Sequence, residues 1–311
     1  MTSTAEPRAA SPALRLERRQ RAALELQLAV ARASAVLWVP LTVALMRFGL
    51  GWRVIGAAAA RRRYREIVGE GDAPVMVCAN HLTLLDSAVI AWALGSPWWY
   101  LRRFSTLPWN VPERRNFASS FVSRILVYVM KCVPIVRGSD RREVALVLDR
   151  LAYLLTRGEA VLIFPEGGRS RTGRIEIESA AYGVGRIANE LPGCRVVCVY
   201  LRGEGQVTYG DLPPRGERFR VQVEAIEPRP QHGGVRGSVE VSRQILACLA
   251  ELERRHFGEE SASLPADADP AGAEEAAERA PASERRSVAA RSPDTECAPV
   301  PEGVAVAERL R

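Results

Sequence analysis

The alternation of short apolar runs with helical stretches between residues 73 and 226 is the feature that most constrains the fold. Six of these runs are rich in the β-branched and aromatic residues that strands favour. They cover residues 74–79, 97–101, 132–136, 160–164, 195–201 and 218–226. The spacing of apolar residues predicts helices over 83–94, 116–129, 140–157, 179–190 and 238–256. We therefore predict an α/β fold with a mixed, largely parallel sheet flanked by helices, whose functional residues follow the carboxyl ends of the strands.

Ahead of this domain the chain divides into a polar part and an apolar part. Residues 1–21 are polar and Arg-rich and predict a flexible arm, whereas residues 22–65 are strongly apolar and end in a basic cluster. The uncharged centre, residues 33–46, contains Pro40 and is shorter than the roughly 20 apolar residues that a spanning helix needs. All six tryptophans lie between residues 38 and 109. These features favour a membrane-associating helical segment that lies in the interface or re-enters it, with a buried helical hairpin as the alternative.

Charge and composition divide the rest of the chain. Residues 66–257 form the α/β domain, and residues 258–311, which lack aromatic residues after Phe257, predict a disordered acidic tail rich in Ala, Pro and Glu. The net charge of +7 fits an anionic partner, either a membrane or a nucleic acid, but no nucleic-acid motif is present. The six cysteines form no CxxC pair and the three histidines lie far apart. This pattern indicates neither a disulfide framework nor a metal site, and it favours a cytoplasmic compartment.

The first candidate site is NHLTLLD, residues 80–86, which follows the predicted strand 74–79. Thr83 and Asp86 have the spacing of a capping box that opens a helix. With His81 on the preceding turn, Asp86 in the first helical turn can reach the imidazole and hold its tautomer. The pair would then act as a general base and its orienting partner toward a hydroxyl that the substrate supplies. The alternative is that Asp86 only caps the helix and that His81 is an ordinary loop residue.

The second candidate site is FPEGGRS, residues 164–170, where an apolar strand runs into a turn. The paired glycines can take positive φ, and backbone amides of such a turn can face an oxyanion or a phosphate. Arg169 supplies positive charge, and Glu166 can bind an acceptor hydroxyl or fix Arg169. Taken alone, PEGG is also simply a turn after a buried strand. Two strand-end turns of this kind in one α/β domain favour a functional site.

A third candidate lies at the end of VPIVR, residues 133–137, where the guanidinium of Arg137 would suit a phosphate monoester. Arg141 and Arg142 follow it and fit a solvated basic face equally well.

Together these motifs resemble the glycerolipid acyltransferase family that includes bacterial lysophosphatidic acid acyltransferases. NHLTLLD matches its N-H-x4-D block, VPIVR resembles its second block, and FPEGGRSRTG, residues 164–173, matches its F-P-E-G-T-R-S block. VVCVYL, residues 196–201, is similar to a weaker fourth block. The resemblance covers roughly residues 73–226.

The resemblance implies that His81 is the general base and that Asp86 orients it. It also implies a group of acceptor-binding residues, with the arginines on a phosphate: Arg137, Glu166, Gly167, Gly168, Arg169 and Ser170. The implied reaction is direct transfer of a fatty-acyl group, without metal or cofactor, from acyl-CoA or acyl carrier protein to a lysophospholipid such as 1-acyl-glycerol-3-phosphate. Phospholipid biosynthesis on membrane lipids at the cytoplasmic face of the cell membrane follows as the expected setting.

Two departures from the family pattern lie in and after this turn. Gly168 stands where the family usually has Thr, which should change the turn more than the chemistry, and the segment after Gly173 lacks the lysine-bearing stretch of many members. Because that region shapes the acceptor site, two alternatives stay open. One is acylation of a non-phosphate lipid or metabolite, and the other is a non-catalytic membrane lipid-binding protein that keeps the fold.

Overall fold

The computed structural model describes residues 15–69, 71, 73–117, 120–136, 138, 140–191 and 193–263. The helices are α1 (Arg18–Ala44), α2 (Ala57–Gly69), α3 (Asp86–Leu94), α4 (Pro97–Arg102), α5 (Arg114–Phe117), α6 (Phe121–Val129), α7 (Arg141–Thr156), α8 (Tyr182–Glu190) and α9 (Gly234–Ser263). The strands are β1 (Arg53–Ile55), β2 (Val75–Ala79), β3 (Val161–Ile163), β4 (Arg195–Gly203) and β5 (Arg218–Ile226). A π-helical turn, Leu45–Gly49, continues α1.

The strands form one sheet in the order β1-β5-β4-β2-β3. β2 pairs in parallel with both β3 and β4, with Met76 opposite Val161. β4 runs antiparallel to β5, and β5 is parallel to β1. Because β2, β3 and β4 run in the same direction, their carboxyl ends at Ala79, Ile163 and Gly203 lie at one edge of the sheet. The predicted α/β fold with a mixed, largely parallel sheet is confirmed.

Helices cover both faces of the sheet. Met76 and Cys78 of β2 face a core that includes residues of α7, α8 and α9. The alternating residues Val75, Val77 and Ala79 face a second core with α2 and α3. This double burial explains why β2 is apolar at every position rather than at every second one.

Helix α1 packs one side on the domain and exposes the other. On the packed side, the Gln27 side chain donates to the carbonyls of Tyr128 in α6 and Cys132, at 3.1 and 2.9 Å. The other side carries exposed large apolar residues: Leu26, Leu37, Leu41, Leu45 and Phe48. Among the described residues, Arg18–Gly49 is the one helix long and apolar enough to cross a membrane.

The strand predicted over residues 97–101 is wrong, because these residues lie in α4. Ser96 caps this helix by accepting the N–H of Trp99 at 3.3 Å, and Pro97 occupies its first turn. Tyr100 packs in a cluster with Ala31 of α1. Tyr100 is therefore buried against α1 while Trp98 is 71% exposed, so the aromatic residues of this run do not indicate membership of the sheet.

The strand predicted over residues 132–136 is also wrong. Only single bridges form there, between Cys132 and Asn110 and between Ile135 and Glu113. Pro134 lies between them and has no N–H to donate to a ladder.

The ends of the predicted segments also differ from the structure. The short strand β1 lies inside the segment 22–65 that we predicted to be helical. Helix α1 begins at Arg18, within the predicted arm, and α9 reaches Ser263, within the predicted tail. Residues 1–14 and 264–311, which hold the rest of the predicted arm and of the predicted disordered tail, lie outside the described residues.

Candidate active site

The turn after β2 is fixed by Asn80. Its side-chain amide donates to the carbonyl of Leu201 in β4 at 2.9 Å, and its side-chain oxygen accepts the N–H of Leu201 at 2.8 Å. The side chain of Asn80 is buried. Through these two hydrogen bonds it continues the pairing of β2 with β4 beyond the end of the strand. This pair of hydrogen bonds determines where the chain leaves the strand and therefore where His81 lies.

Asp86 organises the same turn. Its Oδ2 accepts the backbone N–H groups of Leu82 and Thr83 at 2.6 and 2.7 Å and lies 3.1 Å from Nδ1 of His81. Its Oδ1 accepts the Thr83 hydroxyl at 2.5 Å. The helix begins at Asp86, and not at Thr83 as predicted, because the Thr83 hydroxyl donates to Asp86 instead of capping a helical amide. The predicted contact between His81 and Asp86 is present.

The His81 ring is held on two sides. Asp86 contacts Nδ1, and the ring of Phe164 stacks on the imidazole with centroids 4.0 Å apart and planes inclined by 14°. His81 is 9% exposed. When Nδ1 carries the hydrogen that Asp86 accepts, the lone pair is on Nε2, so Nε2 is the atom that can take a proton.

The backbone of His81 joins this turn to the loop after β3, which we call the PEGG loop (residues 165–174). The His81 N–H donates to Oε1 of Glu166 at 3.1 Å, and its carbonyl accepts the N–H of Ser170 at 2.9 Å. The two motifs that the sequence predicted to form one site are therefore in direct contact.

The conformation of the PEGG loop depends on one glycine more than on the other. Gly167 takes φ 66°, whereas Gly168 does not have positive φ. The N–H of Gly167 donates to the Phe164 carbonyl at 3.1 Å. The backbone amides of Gly167 and Ser170 are thus both engaged within the protein, whereas we expected amides of this turn to face an anion.

Glu166 is the carboxyl of the site with a displaced pKa. Burial, together with the nearby carboxylates of Glu253, Glu176 and Asp86, raises the pKa of Glu166 to about 7, although the N–H of His81 favours its ionised form. A carboxyl with this pKa can hold or release a proton near neutral pH, which is typical of functional sites.

Arg169 extends from the PEGG loop to another segment. Its Nη1 donates to Oδ1 of Asp211 at 2.7 Å and to the carbonyl of Gly210 at 2.8 Å. The ring of Tyr209 lies 5.6 Å from its guanidinium carbon. One side of this guanidinium is thus anchored by the β4–β5 loop, residues 204–217.

Two other predicted binding residues have different positions. The Ser170 hydroxyl donates to the Arg174 carbonyl at 2.6 Å and accepts the Arg174 N–H at 3.1 Å, so it closes the PEGG loop on itself. Arg137 lies outside the described residues.

Two cavities adjoin the two loops that meet at His81. One, the apolar cavity, has a volume of about 340 Å³, and Leu84 and Leu85 from the His81 turn contribute to its wall. The remaining wall comes mainly from α1, α3 and α6. The other, the polar cleft, has a volume of about 350 Å³ and is lined by Glu166, Gly168, Arg169, Ser170, Arg171, Thr172, Glu176 and Ser179. The described residues include no cluster of three or more His, Cys, Asp or Glu side chains that could hold a metal ion.

Sequence reasoning missed the β4–β5 loop. The N–H of Leu84 donates to the Asp211 carbonyl and the N–H of Gly210 donates to the Leu82 carbonyl, both at 3.0 Å. The loop therefore supports the His81 turn as well as Arg169. A signal was available, since long connections between strands are uncommon in compact domains and are often functional.

Comparison with protein families gives one match, to the family described as Acyltransferase, over residues 58–202. The matched region contains β2, β3, all but the last residue of β4, the His81 turn and the PEGG loop. Comparison with curated proteins finds none that matches the chain. Residues 58–202 are therefore a domain of the acyltransferase family, whose activity is acyl transfer.

Proposed function

We propose that this protein is an O-acyltransferase that moves a fatty-acyl group from acyl-CoA or acyl carrier protein to the hydroxyl of a lysophospholipid, with 1-acyl-glycerol-3-phosphate as the acceptor. The observation that carries this proposal is that the His81 turn contributes Leu84 and Leu85 to an apolar cavity, while Glu166 and Ser170, which bind the His81 backbone, line a polar cleft. An amphiphilic substrate needs both environments close to the reacting atoms.

The proposed reaction requires only groups that the site supplies. Nε2 of His81 takes the proton of the acceptor hydroxyl, and the oxygen attacks the thioester carbonyl. Collapse of the tetrahedral intermediate forms the ester and breaks the thioester bond. The thiolate that leaves receives the proton that His81 took from the acceptor hydroxyl. Asp86 holds the ring through Nδ1 and stabilises the imidazolium that forms between these steps.

Direct transfer, without an acyl-enzyme, is supported by the thiol nearest to His81 in the sequence. Cys78 lies within β2 and is fully buried. Burial raises the pKa of its thiol well above the ordinary value, so it is not a nucleophile at neutral pH.

The apolar cavity suits the acyl chain. Its volume of about 340 Å³ lies in the range of ligand-binding cavities, about 300–1,000 Å³. Ala88 and Ala91 of α3 leave space in its wall, while Val39 and Met46 close it on the side of α1. Burial of methylene groups here would contribute about 0.8 kcal/mol for each group.

The polar cleft suits the acceptor headgroup. Arg169 and Arg171 contribute guanidinium groups, which bind phosphate oxygens well because of their fixed donor geometry. Glu166 lies at the same cleft and can accept a hydroxyl of the acceptor. The resemblance of residues 133–137 to the family's second block implies a third guanidinium for the headgroup, that of Arg137.

The proposed site of action is the cytoplasmic face of the cell membrane. Besides the exposed side of α1, helix α6 exposes large apolar residues: Phe121, Val122, Ile125 and Leu126. The contact of Gln27 with Tyr128 holds α6 beside α1. Because α1 also packs along the domain from Leu24 to Val39, we propose that it lies in one leaflet rather than crossing the bilayer.

The test is thiol release from acyl-CoA and from acyl carrier protein by purified protein in detergent. Parallel reactions contain lysophosphatidic acid, glycerol-3-phosphate, other lysolipids, or no acceptor. Release that requires lysophosphatidic acid is the expected result. Release only with another acceptor would contradict the proposed substrate, and no release with either donor would contradict the enzyme proposal in favour of a lipid-binding protein.

A second candidate is an acyltransferase with a non-phosphate acceptor. The contact of Arg169 with Asp211 favours it, because a guanidinium already paired with a carboxylate has less charge to offer a phosphate. The same panel, extended with amino-lipids and simple hydroxylated lipids, distinguishes the two.

A further inference from the structure

The β4–β5 loop exposes large apolar side chains next to the candidate active site. Val207 is 83% exposed and Leu212 is 65% exposed. Tyr209, which lies between them, contacts Arg169 and is 45% exposed. Apolar residues grouped in this way on a loop indicate a contact surface.

The same loop is bonded to the end of α1. Arg215 Nη2 donates to the Gly49 carbonyl at 2.8 Å, and the N–H of Gly216 donates to the Leu50 carbonyl at 2.8 Å. Phe48, just before this junction, is 82% exposed. Phe48 comes one residue before Gly49 and Leu212 three residues before Arg215, so an exposed apolar side chain precedes this junction on each of the two segments.

Basic side chains surround this junction. Arg47, Arg53 and Arg215 are exposed, and none of them forms an ion pair with a described residue. Of the loop's own acids, Glu204 is paired with Arg218 and Arg220, Asp211 is paired with Arg169, and Glu217 is buried. Arginines without a carboxylate partner beside exposed apolar residues match a leaflet in which anionic headgroups lie above acyl chains.

The loop is also bonded to both halves of the candidate site. It contacts the His81 turn through the Leu82 carbonyl and the Leu84 N–H. It contacts the PEGG loop through Arg169 and through the Thr208 hydroxyl, which donates to the Arg171 carbonyl at 3.0 Å. A lipid surface that meets this loop is therefore next to the polar cleft.

We propose that the β4–β5 loop, with the end of α1, is a second membrane-docking element that inserts Val207, Leu212 and Phe48 into an anionic leaflet. We call this surface the docking rim. The inference rests on the proposed function and extends it, because the rim sets the polar cleft at headgroup depth, where a lysophospholipid can enter from the bilayer. An acidic carrier protein would also meet arginines, but exposed Val and Leu side chains on a loop tip favour lipid.

A fluorescent label tests this inference without measuring activity. Leu212→Cys is labelled with an environment-sensitive fluorophore, with Leu37→Cys on α1 as the positive control and Val235→Cys on α9 as the matched negative control. Val235 is 67% exposed, close to the 65% of Leu212, and it follows the end of β5 that pairs with the start of β4, opposite to the end where the rim lies. Labelled wild-type protein corrects for the native cysteines. Each protein is mixed with phosphatidylcholine vesicles, with or without phosphatidylglycerol, or with acyl carrier protein.

The expected result is a blue shift at residues 212 and 37 with phosphatidylglycerol vesicles, a smaller shift at 212 without the anionic lipid, and no shift at 235. A shift at 37 alone would overturn the inference, and so would equal shifts at 212 and 235. Equal shifts at 212 with neutral and anionic vesicles would overturn its electrostatic part. A shift at 212 with acyl carrier protein but not with vesicles would replace the membrane by a protein partner.

Activity separates this inference from the proposed function. Replacing both Val207 and Leu212 by Ser should lower kcat/KM about tenfold for lysophosphatidic acid embedded in vesicles. Turnover of a short-chain, water-soluble lysophosphatidic acid should stay unchanged, as should both activities of Val235→Ser. If the wild-type protein shows no acyl transfer, the proposed function fails, whereas the label result still decides the docking rim. Equal loss with both acceptors in the double variant would overturn the rim.

Discussion

The His81 turn and the PEGG loop leave the same edge of the sheet, but they are held in different ways. In the turn, Asp86 is satisfied by groups no more than five residues away, and all of them are buried. In the PEGG loop, Arg169 depends on Asp211, which belongs to the β4–β5 loop and has a 76% exposed side chain. The carboxylate that orients the base is therefore fixed by its own segment, although Phe164 also stacks on the His81 ring, whereas the guanidinium on the acceptor side is held by a separate segment near solvent.

This difference suits the two tasks. A general base acts on one proton at a fixed position, so its orientation must not change between cycles. An acceptor site on a membrane must admit and release lipid, and contacts near solvent can be exchanged at a smaller cost. We therefore expect substitutions in the turn to affect the rate of chemistry and those in the PEGG loop to affect acceptor binding.

Among the residues that position the base and the substrates, the largest effect is expected for Asp86→Asn. An amide oxygen in the place of Oδ2 can keep the contacts with Leu82, Thr83 and His81, but the negative charge that stabilises the imidazolium is lost and the Thr83 hydroxyl then faces an NH2 group. We expect kcat to fall by about 10²-fold, measured as thiol release at saturating substrate. Thr83→Val removes only the hydroxyl bond to Oδ1 and serves as the control, with a much smaller loss expected. A loss in Asp86→Asn no greater than in this control would contradict the role of Asp86.

The contrast also explains what the sequence could predict. The pairing of His81 with Asp86 was predictable because its determinants lie within residues 80–86, directly after a buried strand. The start of α3 was not, because the Thr83 hydroxyl can either accept or donate, and only the fold decides between these. Residues 97–101 were assigned to the sheet because periodicity does not separate a short buried helix from a strand.

The support of Arg169 was not predictable in the same way. Arg169 and Asp211 are distant in the sequence, and they meet because β4 and β3 end at the same edge on either side of β2. The apolar cavity likewise needs α1, α3 and α6 together, and their packing depends on contacts such as that of Gln27 with Tyr128. Local patterns carry no information on such distant pairs.

The second prediction concerns Glu166 and pH. Because its pKa is about 7 when folded and 4.5 in the reference state, the folded protein keeps a proton that the unfolded chain loses, so stability falls as the pH rises through this window. Glu166→Gln stays neutral and can still accept the His81 N–H. The free energy of unfolding of Glu166→Gln minus that of wild type should therefore increase by about 2 kcal/mol from about pH 5 to pH 8, because only the wild type loses stability.

Urea unfolding in detergent at each pH measures this difference. Glu178→Gln, at a carboxylate with an 87% exposed side chain, is the control and should show a difference that stays constant with pH. The same constant difference for Glu166→Gln would mean that the Glu166 carboxyl is ionised throughout the range, against our account.

The third prediction separates the two loops directly. Arg169→Ala should lower kcat/KM for lysophosphatidic acid about tenfold, mainly through KM, because a charge-assisted hydrogen bond contributes about 1.5–3 kcal/mol. Acceptors without phosphate should lose little. Arg236→Ala, at an arginine with a 73% exposed side chain on α9, is the control. An equal loss of kcat/KM for acceptors with and without phosphate would mean that Arg169 supports the structure and does not bind the phosphate.

The smallest effect is expected in the apolar cavity. Ala88→Leu adds volume to its wall and should lower kcat/KM for long-chain donors several-fold, while short-chain donors keep theirs. A series of acyl-CoA chain lengths measures this, with the short chains as the internal control for folding. A uniform loss along the series would argue that the acyl chain lies elsewhere.

The central claim is that His81 is the general base of a direct acyl transfer. The most direct measurement compares kcat for thiol release and for ester formation in wild type, His81→Ala and His232→Ala with lysophosphatidic acid as acceptor. His232 is a second histidine next to a carboxylate, Glu240, but it lies outside the site and should keep wild-type rates. We predict equal rates of thiol release and ester formation in wild type and a loss of both by at least about 10²-fold in His81→Ala, with the fold retained. Turnover in His81→Ala close to that of His232→Ala would contradict the account.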